Sequence, residues 1–295
     1  MSNFVLAAAT TADMPKSFFV ERNIEYLFFT FLLDNETYKD NFGESYPFDK
    51  FYQRIEEGGM PTTCQINVDE HMEFFEKFLK EGKDVLFLSL SSGISGSFNS
   101  CQIAANELKE KYPDRKIFVV DTLAASSGYG LFLKKIADLR DEGKSIDEVY
   151  NWAEENKLNV HHWVFTTDLT HLKRGGRVSA TSAMLGNLLG ICPVINVDFE
   201  GKLIPRKKIR GKKTVVKEIV KIMEELAYNG KDYNEECYIS HSACIEDANA
   251  VKELVEETFP QLKGKVLVND IGAVIGSHTG KGTVALFFMG TKRED

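Results

Sequence analysis

Val85-Leu86-Phe87-Leu88-Ser89-Leu90-Ser91-Ser92-Gly93-Ile94-Ser95-Gly96-Ser97 decides the fold. The first six residues are nearly all apolar, the pattern of a central strand buried on both faces of a parallel sheet. A Ser/Gly loop follows, and helical spacing resumes over about 98–111. In sheets built from such strand–loop–helix units, ligands bind at the carboxyl ends of the strands. Amides at the helix start attract anions, and the hydroxyls of Ser95 and Ser97 add donors. The same residues also read as an ordinary serine-capped helix, and spacing alone leaves both readings open. The loop is not G-x-S-x-G, so a nucleophile elbow is not indicated.

Outward from this unit the first half alternates strands and helices. Residues 4–8, 26–33 and 117–120 read as strands; 126–142 and 146–157 read as helices. This order predicts a parallel sheet covered on both faces. After about residue 160 the rhythm changes. Short strands are expected at 162–165, 237–240, 266–268 and 283–289, a β-like segment at 203–209, and helices at 215–228 and 248–259. The expected fold is α/β with two domains: an N-terminal parallel-sheet domain over 1–160 and a smaller C-terminal α/β domain with a mixed sheet over 161–295. A length of 295 residues agrees with ~150 residues per domain.

Hydrophobic residues make up 43% of the chain and charged residues 27%, which excludes a disordered or collagenous polypeptide. The net charge of −8 argues against a general nucleic-acid binder. Six cations nevertheless crowd one segment: Arg206, Lys207, Lys208, Arg210, Lys212 and Lys213. Lys173, Arg174 and Arg177 form a second cluster. Such clusters are either solvated faces or sites for a small anion or acidic partner. The five cysteines show no C-x-x-C spacing, which argues against a disulfide framework and a structural zinc site. The start of the chain lacks a positive signal-peptide region. Residues 178–197 are uncharged but carry polar groups, and they read as a buried helix, a proline and a strand. A cytoplasmic protein without stable membrane insertion is expected.

Other motifs are weaker. Pro61-Thr62-Thr63-Cys64-Gln65 reads as a hydroxyl-rich turn between two helices, with Asp69 capping the second. Gly276-Ser277-His278-Thr279-Gly280-Lys281-Gly282-Thr283 fails the phosphate-loop spacing, because Ile275 stands where a glycine is required. His278 between these glycines is either pocket-facing or a solvated loop histidine. His71, His161, His162, His171 and His241 have no metal-ligand spacing and read as structural or surface groups. The 21 phenylalanines supply core, and they also suit a long apolar tunnel.

Four segments in order resemble the DegV family of bacterial fatty-acid-binding proteins: 61–65, 90–97, Leu172-Lys173-Arg174-Gly175-Gly176-Arg177-Val178-Ser179, and Ser277-His278-Thr279-Gly280. The resemblance implies one long-chain fatty acid in a tunnel between two domains, with no cofactor. It places the carboxylate on the hydroxyls of Thr63 and Ser95 with His278 close by. Arg210 and Arg177 take the cationic positions, and Thr62 and Gly93 complete the ligand-binding set. Members present the fatty acid to a separate fatty-acid kinase, which makes the acyl-phosphate for phospholipid synthesis; the binding protein is not the catalyst. The chain departs from the family pattern at Ala9, where an aspartate is usual, and at Cys64. The alternative is a phosphotransferase or hydrolase acting on a small phosphorylated substrate through Ser95 or His278. That reading lacks a recognisable acidic partner for His278 and a metal motif.

Overall fold

The structure, a computed structural model, describes residues 4–178 and 190–294. The strands, in chain order, are β1 (Phe4–Ala9), β2 (Glu25–Leu27), β3 (Thr30–Leu33), β4 (Glu36–Lys39), β5 (Thr62–Cys64), β6 (Asp84–Ser89) and β7 (Ile117–Asp121). There follow β8 (Val160–Thr166), β9 (Ile191–Val197), β10 (Leu203–Arg210), β11 (Cys237–His241), β12 (Leu267–Asp270) and β13 (Thr283–Met289). The helices are α1 (Lys16–Glu21), α2 (Phe48–Glu56), α3 (Val68–Lys80), α4 (Ser97–Lys111), α5 (Ser126–Asp141), α6 (Ile146–Asn156), α7 (Thr170–Arg174), α8 (Lys212–Leu226), α9 (Ile245–Thr258) and α10 (Ala273–Thr279).

Among the described residues these strands form three sheets. The first is parallel, in the order β2-β1-β6-β7, with the apolar run of β6 inside it. Helices α3, α4 and α6 cover β6, which accounts for its lack of polar alternation. The second is a small antiparallel sheet, β4-β3-β5. The third is mixed, in the order β10-β9-β8-β13-β11-β12, with β13 joining β8 to β11. Strands before Val160 build the first two sheets, and those from Val160 onward build the third. The later unit is shorter in sequence but holds the wider sheet. Helix α5 packs on β8, β11 and β13 and on the turn after β1, so it lies between the two large sheets. Residues Ser126 to Leu133 of this helix are all buried. Among the described residues, no helix is long and apolar enough to cross a membrane.

The structure corrects several expectations. Residues 26–33 are two strands in different sheets rather than one. The chain leaves the parallel sheet at Leu27 and enters the small sheet at Thr30. No glycine or proline marks the crossing, and a run that is apolar but for Thr30 hides it. Residues 62–64 are a strand, because they pair with β3 along its open edge. The α3 cap is Asn67 rather than Asp69: its side chain accepts from the Glu70 amide at 2.9 Å, and the Glu70 carboxylate accepts from the Asn67 amide at 2.8 Å. Residues 273–279, with His278 in the last turn, form a helix rather than a loop. Within the 178–197 reading, the helix falls on 179–189, outside the described residues. Pro193 lies inside β9 rather than before it. Strand β8 pairs with β9 only over Val194 to Asn196, so Pro193 interrupts no ladder on that side.

Candidate ligand-binding site

A cavity of about 440 Å³ lies between α10, the small sheet and one face of the wide sheet. Its walls are mainly apolar. Thr283, Ala285 and Phe287 face it at the two-residue period of β13, opposite Thr166, Val164 and His162 of β8. Phe29, Leu90, Ile195, Val197 and Leu203 extend the apolar lining.

Four of the candidate residues meet at this cavity: Thr63, Ser95, Arg177 and His278. Thr63 Oγ1 stands 2.8 Å from His278 Nε2. Burial, with Arg177 and Arg174 adding repulsion, holds the His278 imidazole down at about 4, so it is neutral at pH 7. Its Nδ1 is buried without a partner. A proton on Nδ1 would be an orphaned donor, so the proton belongs on Nε2, donating to Thr63 Oγ1. The Thr63 hydroxyl proton is then free to point into the cavity. Ser95 Oγ accepts from the Ser97 amide at 3.2 Å, which likewise leaves its own proton free. Arg177 donates from Nε to Ile94 O at 2.9 Å and from Nη1 to Gly175 O at 2.6 Å. These two bonds tie the Ser95 loop to the turn after α7 and leave further guanidinium donors. Among the described residues no carboxylate pairs with Arg177, and burial lowers its pKa. Arg177→Met removes both bonds while keeping much of the stem. It is expected to lower stability by ~2–4 kcal/mol, read as a shifted urea midpoint at unchanged slope.

The other polar lining groups are already engaged. His162 Nδ1 contacts Val160 O at 3.2 Å, and its Nε2 faces the Ala125 amide at 3.2 Å. A carbonyl only accepts, so the proton sits on Nδ1 and Nε2 accepts. Ser126 Oγ bonds the Asp13 carboxylate and stands 3.0 Å from Ser240 Oγ. The free donors therefore concentrate around Thr63, Ser95 and Arg177.

The remaining candidates lie elsewhere. Thr62 is exposed and outside the cavity lining. Gly93 is a close-approach residue: a Cβ there would stand 2.6 Å from the backbone oxygens of Glu200 and Gly201. It lets the Ser95 loop rest on the β9–β10 turn. Arg210 is exposed at the far end of β10 from Leu203, away from the lining. Cys64, noted only as a departure, lines the cavity, as does His162, read above as structural or surface. The two-residue period that turns His161 and His162 to opposite faces of β8 is the signal that could have found His162.

Known proteins bear on this arrangement. The model of the family described as "Uncharacterised protein, DegV family" matches residues 5–291. A DegV domain-containing protein of Clostridium perfringens is 42% identical over 294 residues, covering 100% of both chains. Another, of Streptococcus pyogenes, is 34% identical over 97% of this chain and 98% of its own. A fatty-acid-binding DegV family protein from Thermus thermophilus has a similar structure, with a TM-score of 0.86, 29% identity, and 98% and 100% of the two chains covered. One from Streptococcus agalactiae, also described as fatty-acid-binding, gives 0.85 at 27% identity, with 99% and 100% covered. Sequence and fold therefore agree over almost the whole length, and this chain belongs to the DegV family.

Proposed function

We propose that this protein binds one long-chain fatty acid, with the carboxylate at Thr63, Ser95 and Arg177 beside His278, and the acyl chain along the apolar wall. The observation that carries this reading is the gathering of free donors in one part of an otherwise apolar cavity. A carboxylate accepts from several donors at once, and those from arginine are charge-assisted. About 14 methylenes at ~0.8 kcal/mol each contribute ~11 kcal/mol gross. Association and ordering remove several kcal/mol, which leaves sub-micromolar affinity within reach. The fatty-acid binding reported for the Thermus and Streptococcus relatives supports the same ligand class.

The protein is then a carrier that presents its ligand to a separate kinase. An enzyme acting through Ser95 or His278 would need a base oriented by a third group. His278 instead bonds Thr63, and among the described residues no carboxylate hydrogen-bonds it. Arg210, exposed and away from the lining, is proposed to act when the kinase is present rather than in fatty-acid binding. Mass spectrometry of an organic extract of the purified protein should show a stoichiometric fatty acid; a nucleotide or sugar phosphate would support the enzyme. Incubated with labelled ATP and fatty acid, the isolated chain should make no acyl-phosphate. Turnover that tracks purity would overturn the carrier reading. Arg210→Ala should keep most fatty-acid affinity and lose acyl-phosphate yield when a cognate kinase is added.

A further inference from the structure

The helix that carries His278 begins on two buried carboxylates. The Gly272 amide donates to Asp13 Oδ1 at 3.1 Å, the Ala273 amide to Asp40 Oδ1 at 3.2 Å, and the Val274 amide to Asp40 Oδ2 at 3.0 Å. Three consecutive amides thus end on carboxylate oxygens, which satisfies donors that no helical carbonyl reaches. Negative charge there also suits the dipole of the helix. Asp13 comes from the turn after β1, and Asp40 follows β4, so two sheets contribute to one grip. Asp13 is 7% exposed and Asp40 3%. Neither Asp13 nor Asp40 forms a salt bridge with a cation among the described residues; the nearby Lys16 pairs with Glu44 instead.

The fit leaves no room for adjustment. A Cβ on Gly272 would stand 2.8 Å from Asp13 Oδ1 and 3.1 Å from Asp40 Oδ2. Helix α10 is only seven residues long, so His278 sits about 9 Å along the axis from Gly272. Val274, Ile275 and His278 all line the ligand cavity. A movement at the gripped end therefore reaches the Thr63–His278 contact through less than two helical turns.

We propose that Asp40, with Asp13 beside it, is a positioning residue for the ligand head group: it fixes the start of α10 and so sets His278 against Thr63. The ligand in this statement rests on the fatty-acid reading; the geometry does not. The groups facing the pair are Asp270, which His241 approaches at 3.6 Å, and Tyr52, whose hydroxyl donates to Ile271 O. Lys16, paired with Glu44, lines the outer cavity beside them. Burial lifts Asp40 to about 6, and burial with the Asp40 charge lifts Asp13 as well. As pH falls through that value, Asp40 gains a proton and loses an acceptor, and the grip on the amides weakens.

The test is a double-mutant cycle read by palmitate titration. Asp40→Asn keeps the shape but turns a donor toward an amide N–H. Affinity should fall roughly tenfold or more in the wild-type background and less than about twofold in a His278→Gln background. Equal losses in both backgrounds, or none in either, would overturn the proposal. Should Asp40→Asn fail to fold, the ligand-free wild type decides. The His278 ring nitrogens, followed by NMR, should show an inflection near pH 6, above their own protonation at about 4. A flat response there overturns the proposal. A wild type that binds no palmitate removes the fatty-acid reading instead, and the ring titration still judges the positioning role.

Discussion

Fatty-acid affinity should fall by at least tenfold in the Thr63→Val, Ser95→Ala double variant. Each hydroxyl has a proton free for the ligand, because His278 and the Ser97 amide supply the hydrogen bonds that the two oxygens accept. A hydrogen bond to a charged group in a half-buried site contributes ~1.5–3 kcal/mol. Losing two therefore corresponds to a factor of ten at the very least, even if the Arg177 guanidinium compensates in part. Thr63→Val keeps the branched shape of a β5 residue, so the variant removes chemistry rather than packing. The measurement is a titration by calorimetry or displacement of a fluorescent fatty acid. A double variant that binds as the wild type does would remove both residues from the head-group site. Thr63→Ser, which restores the hydroxyl, should recover most of the lost affinity.

The second large effect is loss of stability on mild acidification. The chain has six histidines, and burial lowers the pKa of every one. His161 and His278 are each pushed down from 6.5 to about 4. Between those values the unfolded chain takes up protons that the folded chain refuses. Their contribution to stability is complete above 6.5 and is lost as pH falls towards 4. Asp13 and Asp40 work the other way, since their raised pKa values favour the folded state at low pH and lose that effect as pH rises. Six groups oppose two. At His161, only 5% exposed, the shift corresponds to ~3 kcal/mol at the acid limit. Asp40 offsets a similar amount and Asp13 acts in the same sense, against His278 and the four other histidines, and the five together leave a net loss. Between about pH 7.5 and pH 4.5 the melting temperature should drop by roughly 6 °C or more. A flat or rising profile would show that the histidines gain protonated partners in the folded protein. His161→Gln should make the slope shallower.

Much of this could be read along the chain, for identifiable reasons. The run at 85–90 announced a buried parallel strand, and the Ser/Gly loop after it is indeed at the cavity. The β3–β4 hairpin escaped notice. Its turn uses Asp34 and Asn35, at φ 53° and 66°, the left-handed pair a two-residue hairpin needs, but no glycine advertised it. Ser95, Arg177 and His278 each stood out locally, as a loop donor, a member of a basic cluster and a histidine between glycines, but their union with Thr63 at one head group came through family resemblance. No local pattern links residues from four separate segments that only the fold brings together. The tautomer of His278 was beyond reach too, because it depends on the empty surroundings of Nδ1. Asp13 and Asp40 gave no hint of a role, since their partners lie more than 230 residues onward. Arg210 shows the opposite case: a cationic position carried over by motif order that the fold sets away from the cavity.

Strand β13 imposes an order on synthesis. It is the bridge of the wide sheet, yet both neighbours, β8 and β11, leave the ribosome before it. Until it arrives, that sheet can form only as two separate halves, β10-β9-β8 and β11-β12, each ending in a bare edge. Every residue of β11 is buried in the finished fold, as is nearly all of β8, so those waiting edges expose backbone groups and side chains that the finished fold hides. The parallel sheet has no such delay, because β1, β2, β6 and β7 are complete before β8 appears. The nascent chain therefore holds every strand of its parallel sheet, while the wide sheet stays unzipped, from the end of β8 to the start of β13, more than a hundred residues of elongation. It is in that interval that holdase chaperones would find their substrate.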